Sequence, residues 1–340
     1  MKSAGRRSRG RDEETRALPR AAVYLEREKL RNALALRAGM AHELVGTDVV
    51  RVVDGEGDGL PGVVIDRYGP VLRVELWAQQ WPADLSTHVD QLLRQTGAEA
   101  AVGVLRIAAG RSELRTVAGT IPVAHVVHEN GMRFLVRVAD KDAVGSGVFV
   151  DQRLGRDLVR RHARGRVVVN LFGHAGAFSV AAAVGGAARV MHVDAAKKCA
   201  PWAAANLALN GVDPRAHRFV VEDALKVLSR LAKRPHSAGI IICDPPTQAV
   251  RPDGTRFVAR AALAEMARDA ALALGPGGLL LMSTNDRDVS VEEVEDAVRQ
   301  GVTSAGRSRF TVDELPLPAD ITSQKDARAR PMRGVVIELA

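Results

Sequence analysis

The rhythm of apolar and polar positions changes along this chain. Residues 23–40 are rich in helix formers and carry a Leu25/Leu30/Leu34 stripe, which predicts a helix. Alternation with period two then predicts strands at 48–53 and 60–66, parted by the turn D-G-E-G-D-G (54–59), and further strands at 71–77 and 101–107 with a helix over 85–96 between them. A hairpin is predicted at 126–138, turning at Glu129-Asn130-Gly131. After a helix at 151–164 the strands become near-continuous apolar runs: 166–170, 188–193, 217–221, 238–243, 278–283, 309–314 and 333–339. Helices over 175–184, 195–210, 223–233, 257–274 and 290–301 alternate with the first of them. Strands of this kind are covered on both faces, so the pattern predicts an α/β fold, a Rossmann-like, mostly parallel seven-stranded sheet behind a small α+β domain. The expected division is a disordered basic arm over 1–20, an α+β domain with its leading helix over 21–140, and the larger domain over 141–340. No internal repeat is evident.

Ligands of such sheets sit at the carboxyl ends of the strands, near the point where strand order reverses. The first strand of the larger domain runs into N-L-F-G-H-A-G, which makes Asn170, Leu171, Phe172, Gly173, His174 and Gly176 candidates for close backbone approach to a ligand. G-x-x-G alone describes a tight turn equally well. Asp194, followed by Ala195, closes the second strand where an acid can accept both ribose hydroxyls of a nucleoside; it could also cap a helix beginning at Ala195. After the third strand come Glu222 and Asp223; Asp223 can accept from an adenine amino group, with a helix N-cap as the rival reading. Polar anchors at three strand ends together predict a nucleoside pocket. The fourth strand ends C-D-P-P-T, and Pro245 and Pro246 fix the backbone and remove two donors. With Asp244 and Thr247 they form an acceptor-rich lip suited to the N–H groups of a purine edge.

Composition narrows this further. Net charge is +8, and residues 1–31 hold ten Lys/Arg against five acids. Such an arm either gathers phosphate contacts or is a solvated tail. Aromatics at 4% argue against extensive base stacking. No apolar run is long enough to cross a bilayer, and the charged N-terminus lacks the apolar core of a secretory signal. Cys199 falls in a predicted helix and Cys243 in a buried strand, so neither a disulfide framework nor a metal site is expected, and a cytoplasmic location is.

Five blocks carry a resemblance: D-G-E-G-D-G-L-P-G-V-V-I-D-R-Y-G (54–69), G-S-G-V-F-V-D-Q-R (145–153), N-L-F-G-H-A-G-A-F-S-V-A-A-A (170–183), A-A-N-L-A-L-N-G (204–211) and D-P-P-T (244–247). In order and spacing they resemble the large-subunit (23S) ribosomal RNA methyltransferases with a class I fold, over residues 48–340. That group includes an I type that makes 5-methylcytosine and a K type that makes 7-methylguanine. The resemblance implies S-adenosylmethionine as cofactor, with Asp194 and Asp223 on its ribose and adenine and the 170–176 turn on its methionine part. It also implies that Gln152 and Arg153 lie near cofactor or RNA and that Asp244 faces the target base. The I type relies on a cysteine after the fifth strand, because carbon 5 of a pyrimidine is not nucleophilic until a thiolate adds at carbon 6. Here that segment is Ser283-Thr284-Asn285. The D-P-P-T-Q and S-T-N segments are closer to the K type, although Gln248 stands where the K type has an aromatic, and His174-Ala175 where Tyr-Thr is usual. The compact RNA-binding domain of the I type has no counterpart before Asp48, so RNA contacts are expected from the basic arm, the 48–140 module, and Arg328, Arg330 and Arg333. The expected activity is methylation of a base nitrogen, guanine first, in structured, ribosomal RNA, without a metal. A small-molecule methyltransferase and a catalytically silent RNA-binding protein are the alternatives. The oligomeric state stays open, a homodimer being one candidate.

Overall fold

The computed structural model describes residues 22–108, 111–140, 145–250, 254–325 and 329–340. The expected arm at 1–20 and the candidate Arg328 lie outside these residues. Helix α1 (Arg27–Gly39) buries Leu30 and Ala33 beside a five-stranded sheet. That sheet is formed in chain order by β1 (Val49–Asp54), β2 (Val63–Tyr68), β3 (Val71–Leu76), β4 (Ala100–Ala108) and β5 (Arg111–Ala118). Helix α2 (Leu85–Thr96) crosses from β3 to β4, the only parallel pair in this sheet among the described residues, and buries Leu85, Val89 and Leu92. The hairpin β6 (His125–Glu129) and β7 (Met132–Val136) turns at Asn130 and Gly131, with φ of 50° and 77°. Positive φ at both central residues matches the turn to the right-handed twist of its strands. Its Val127, Met132, Phe134 and Val136 enter the same core as Val168 of the second sheet and Val180 of a helix packed on it.

One 3-10 turn (Val150–Gln152) leads into α3 (Arg153–His162), and the strands and helices then alternate. They are β8 (Val167–Leu171), α4 (Ala177–Val184), β9 (Arg189–Asp194), α5 (Cys199–Leu209), β10 (Arg218–Val221), α6 (Ala224–Ala232) and β11 (Ala238–Cys243). A short hairpin of β12 (Gln248–Val250) and β13 (Arg256–Val258) precedes α7 (Ala259–Ala273), β14 (Leu274–Thr284), α8 (Val291–Ser304), β15 (Phe310–Glu314) and β16 (Arg333–Leu339). The seven-stranded sheet has the order β10-β9-β8-β11-β14-β16-β15, parallel through β14, with β16 antiparallel to both neighbours. Alternate residues of one strand face opposite layers: Ile240 and Ile242 join one core with Val180, Ile241 and Cys243 the other with Met266. The chain leaves β8 toward β10 and returns as β11 on the other side of β8, so the switch point lies between β8 and β11.

Buried charge ties the two sheets together. Asp320 accepts from the Arg153 guanidinium (2.8 Å) and the Arg51 amide (2.8 Å), and its carbonyl accepts from Arg37 (2.9 Å). Asp54 accepts from the Ser323 hydroxyl at 2.6 Å and from Arg51 at 2.7 Å. Among the described residues no helix is long and apolar enough to cross a membrane.

Candidate active site

The β8 end makes its turn with two non-glycine residues in the left-handed region, Phe172 (φ 56°) and His174 (φ 47°), and with Gly176 (φ 83°). A Cβ on Gly176 would lie 2.6 Å from that of Ala203, and one on Gly173 would run into the His192 ring. The turn is therefore held against α5 and β9. Its support is a buried polar chain: Asn170 donates to the Ser179 hydroxyl (2.9 Å), which lies 3.1 Å from Nδ1 of His192. Burial pushes His192 down to about 4, so the ring is neutral near pH 7. The Asn170 side chain points into this chain and Leu171 into the core, so at these two positions only backbone is offered to a ligand.

Asp194 ends β9, and its two oxygens accept from the His174 amide (2.9 Å) and the Ala196 amide (2.8 Å). Helix α5 starts only at Cys199, so Asp194 ties the β8 turn to the exposed Ala195-Ala196 bend and does not cap a helix at Ala195. Asp223, after β10, caps α6 by accepting from the Leu225 and Lys226 amides. Glu222 is turned to Arg230 in a two-point pair of 2.6 Å each, on the outer surface. The N-cap reading of Asp223 is thus realised, with the carboxylate still on the same edge of the sheet as Asp194.

At the end of β11, Asp244 Oδ1 accepts from the Ser283 hydroxyl at 2.7 Å, and Ser283 accepts from Gln152 Nε2 at 3.0 Å. Burial pushes Asp244 up to about 6, against the opposing effects of the Ser283 hydrogen bond and Arg156. Pro245 is buried and Pro246 exposed; Thr247 donates to Asn285 Oδ1 at 2.6 Å. Gln248 is exposed on the β12–β13 hairpin and pairs with Arg256, while Phe257 of that hairpin stacks on Phe172 with ring centroids 5.8 Å apart. His174 lies between Phe149 (5.6 Å) and Trp202 (5.3 Å).

The arginines expected on RNA are placed otherwise. Arg153 is 5% exposed and bound to Asp320 and the Val49 carbonyl, because it locks the two sheets together. Arg330 is paired with Glu314, and Arg333 is fully buried with its guanidinium on the Arg330 carbonyl. Sequence reasoning missed Ser283 as a partner of Asp244, and also His192, Phe149 and Trp202. The strand-end rule that marks Asp244 applies equally to Ser283 on the neighbouring strand.

A sequence profile of the S-adenosylmethionine-dependent methyltransferases matches residues 70–322. The chain belongs to this family. Among related methyltransferases, a ribosomal RNA large subunit methyltransferase of Deinococcus radiodurans is 33% identical over 294 residues, 82% of this chain and 70% of that protein. The ribosomal RNA large subunit methyltransferase K/L of Methylococcus capsulatus is 37% identical over 198 residues, 58% of this chain and 25% of its own length. A methyltransferase crystallised with SAH superposes with a TM-score of 0.80 at 26% identity, covering 92% of this chain and 80% of that one. This methyltransferase therefore uses S-adenosylmethionine, on a mostly parallel α/β sheet with a smaller sheet in front.

Proposed function

We propose that this methyltransferase, a cytoplasmic protein, methylates a base nitrogen in large-subunit ribosomal RNA, with guanine as the first candidate. The observation that carries the reading is the row of strand ends at the β8–β11 switch point. It sets the β8 turn, Asp194 and Asp223 on one side of the half-buried carboxylate Asp244. The donors and acceptors fit S-adenosylmethionine: a turn with glycines at both tight positions, then carboxylates at two adjacent strand ends. Asp194 would hold the ribose hydroxyls, Asp223 the adenine amino group, and the 172–176 backbone the methionine part. The cofactor supplies an electrophilic methyl group. Asp244 and the carbonyls beside Pro245 and Pro246 would orient the base edge so that the nitrogen lone pair points at the methyl carbon. The carboxylate also offsets the positive charge that the base gains as its N–C bond forms.

Nitrogen is favoured over carbon 5 because no thiol stands ready. Burial pushes the Cys199 thiol up to about 12, with Asp194 adding to the effect, and raises that of Cys243 well above its usual range. Kinship with the ribosomal RNA large subunit methyltransferases of Deinococcus radiodurans and Methylococcus capsulatus supports the substrate class. The test is incubation of the purified protein with methyl-labelled S-adenosylmethionine and total RNA from a strain lacking the gene, followed by digestion to nucleosides. Label in an N-methylated base, 7-methylguanosine first, is expected. Cofactor binding without label in RNA would turn the reading toward a small-molecule substrate.

A further inference from the structure

Three segments far apart in the chain meet behind Asp244. Gln152 comes from the 3-10 turn ahead of α3, Ser283 from the end of β14, and Asp244 from the end of β11. Ser283 is fully buried and Gln152 is 3% exposed, so neither can reach a substrate in the cleft. The direction of the hydrogen bonds is fixed by chemistry: an ionised carboxylate only accepts, so the Ser283 hydroxyl must donate to it, and that oxygen is then open to the Gln152 amide N–H. We infer that Ser283 and Gln152 are positioning residues that hold Asp244 ionised and in one orientation, so that its second oxygen is presented to the base. This rests on the proposed role of Asp244 and extends it to two residues that touch neither cofactor nor RNA.

The surroundings of Asp244 make the hydroxyl decisive. The charged groups that act on it are Asp151, in the same 3-10 turn as Gln152, and Arg156 on α3; Asp151 raises it and Arg156 lowers it. Arg156 is committed elsewhere, to Glu129 at 2.7 and 2.6 Å. Ser283 is accordingly the strongest influence holding the carboxyl down against burial. The remaining oxygen of Gln152 is buried without a hydrogen-bond partner, which leaves its amide N–H as the end of the chain engaged. The small truncation Ser283→Ala removes both the donor to Asp244 and the acceptor of the Gln152 amide.

The test has two arms. In the ligand-free protein, with aspartate carboxyl carbons labelled for NMR and the Asp244 signal assigned by its absence in Asp244→Asn, the carboxyl is expected to titrate at higher pH in Ser283→Ala than in wild type. Gln152→Leu should move it the same way by a smaller amount. In methyl transfer to RNA, Ser283→Ala should lower kcat by about 10-fold at neutral pH. It should shift the acid limb upward, and have no further effect in the Asp244→Asn background. An unchanged titration, or a Ser283→Ala loss that persists undiminished in Asp244→Asn, would overturn the inference. If wild type transfers no methyl to RNA, the substrate reading fails, yet the titration in the ligand-free protein still decides the role of Ser283.

Discussion

The junction between the sheets buries its acids and the end of β11 half-buries one, and they treat them differently. At the junction, Asp320 faces Arg153, Asp54 faces Arg51, and nearby Glu129 is held by Arg156 in a two-point pair with both side chains at most 1% exposed. Burial raises Asp54, but Arg51 and the Ser323 hydrogen bonds outweigh it and hold the carboxyl below its usual range. At the end of β11, Asp244 has a hydroxyl in place of a guanidinium, and burial carries it to about 6. A fully paired acid is a fastener; an acid left short of a cation keeps its capacity to accept from a ligand. Asp66, which shares Arg51 with Asp54, is an intermediate case, also pushed by burial to about 6.

The contrast can be broken at its structural side first. Glu129→Ala leaves Arg156 buried without its partner and is expected to cost about 3–5 kcal/mol, read as a fall in the denaturant midpoint. On the functional side, Asp244→Ala should reduce methyl transfer by about 100-fold while cofactor affinity changes little. Asp194→Ala should do the reverse, weakening cofactor binding by about 10-fold or more in calorimetry, since it removes both the proposed ribose acceptor and the tie to the His174 amide.

The smallest effect concerns pH. A carboxyl raised above its unfolded value contributes stability that is fully present below that value and is lost as pH rises through about 6, as for Asp244. A lowered one, as Asp54, contributes stability that is present above its unfolded value and lost as pH falls through its folded one. Asp244→Asn should therefore stabilise the protein by about 1–2 kcal/mol at pH 7.5 and by less at pH 4.5, although it lowers activity. Equal shifts at both pH values in thermal unfolding would show that Asp244 is not held as described.

What the sequence reveals and what it hides divides along similar lines. Strands β8, β11, β14 and β16 of the larger sheet were legible as buried apolar runs, and the acids that close β9 and follow β11, Asp194 and Asp244, mark the ligand edge. Strand β5 was not, because R-S-E-L-R-T-V-A lies at a sheet edge with its residues exposed or half-buried, so it carries no alternation to detect. The β12–β13 hairpin has only three residues per strand. Arg153 was misplaced because its partner Asp320 lies 167 residues away, and Ser283 lies 131 residues from Gln152. Periodicity reports which face of an element is apolar; it does not report which distant polar groups meet.

The most direct measurement compares ribosomal RNA nucleosides, by mass spectrometry, from a strain lacking the gene and from that strain carrying wild type or Asp244→Ala. The account predicts one N-methylated base restored by wild type and absent with Asp244→Ala. Restoration of 5-methylcytosine in its place, or of the same N-methylated base by both proteins, would contradict it.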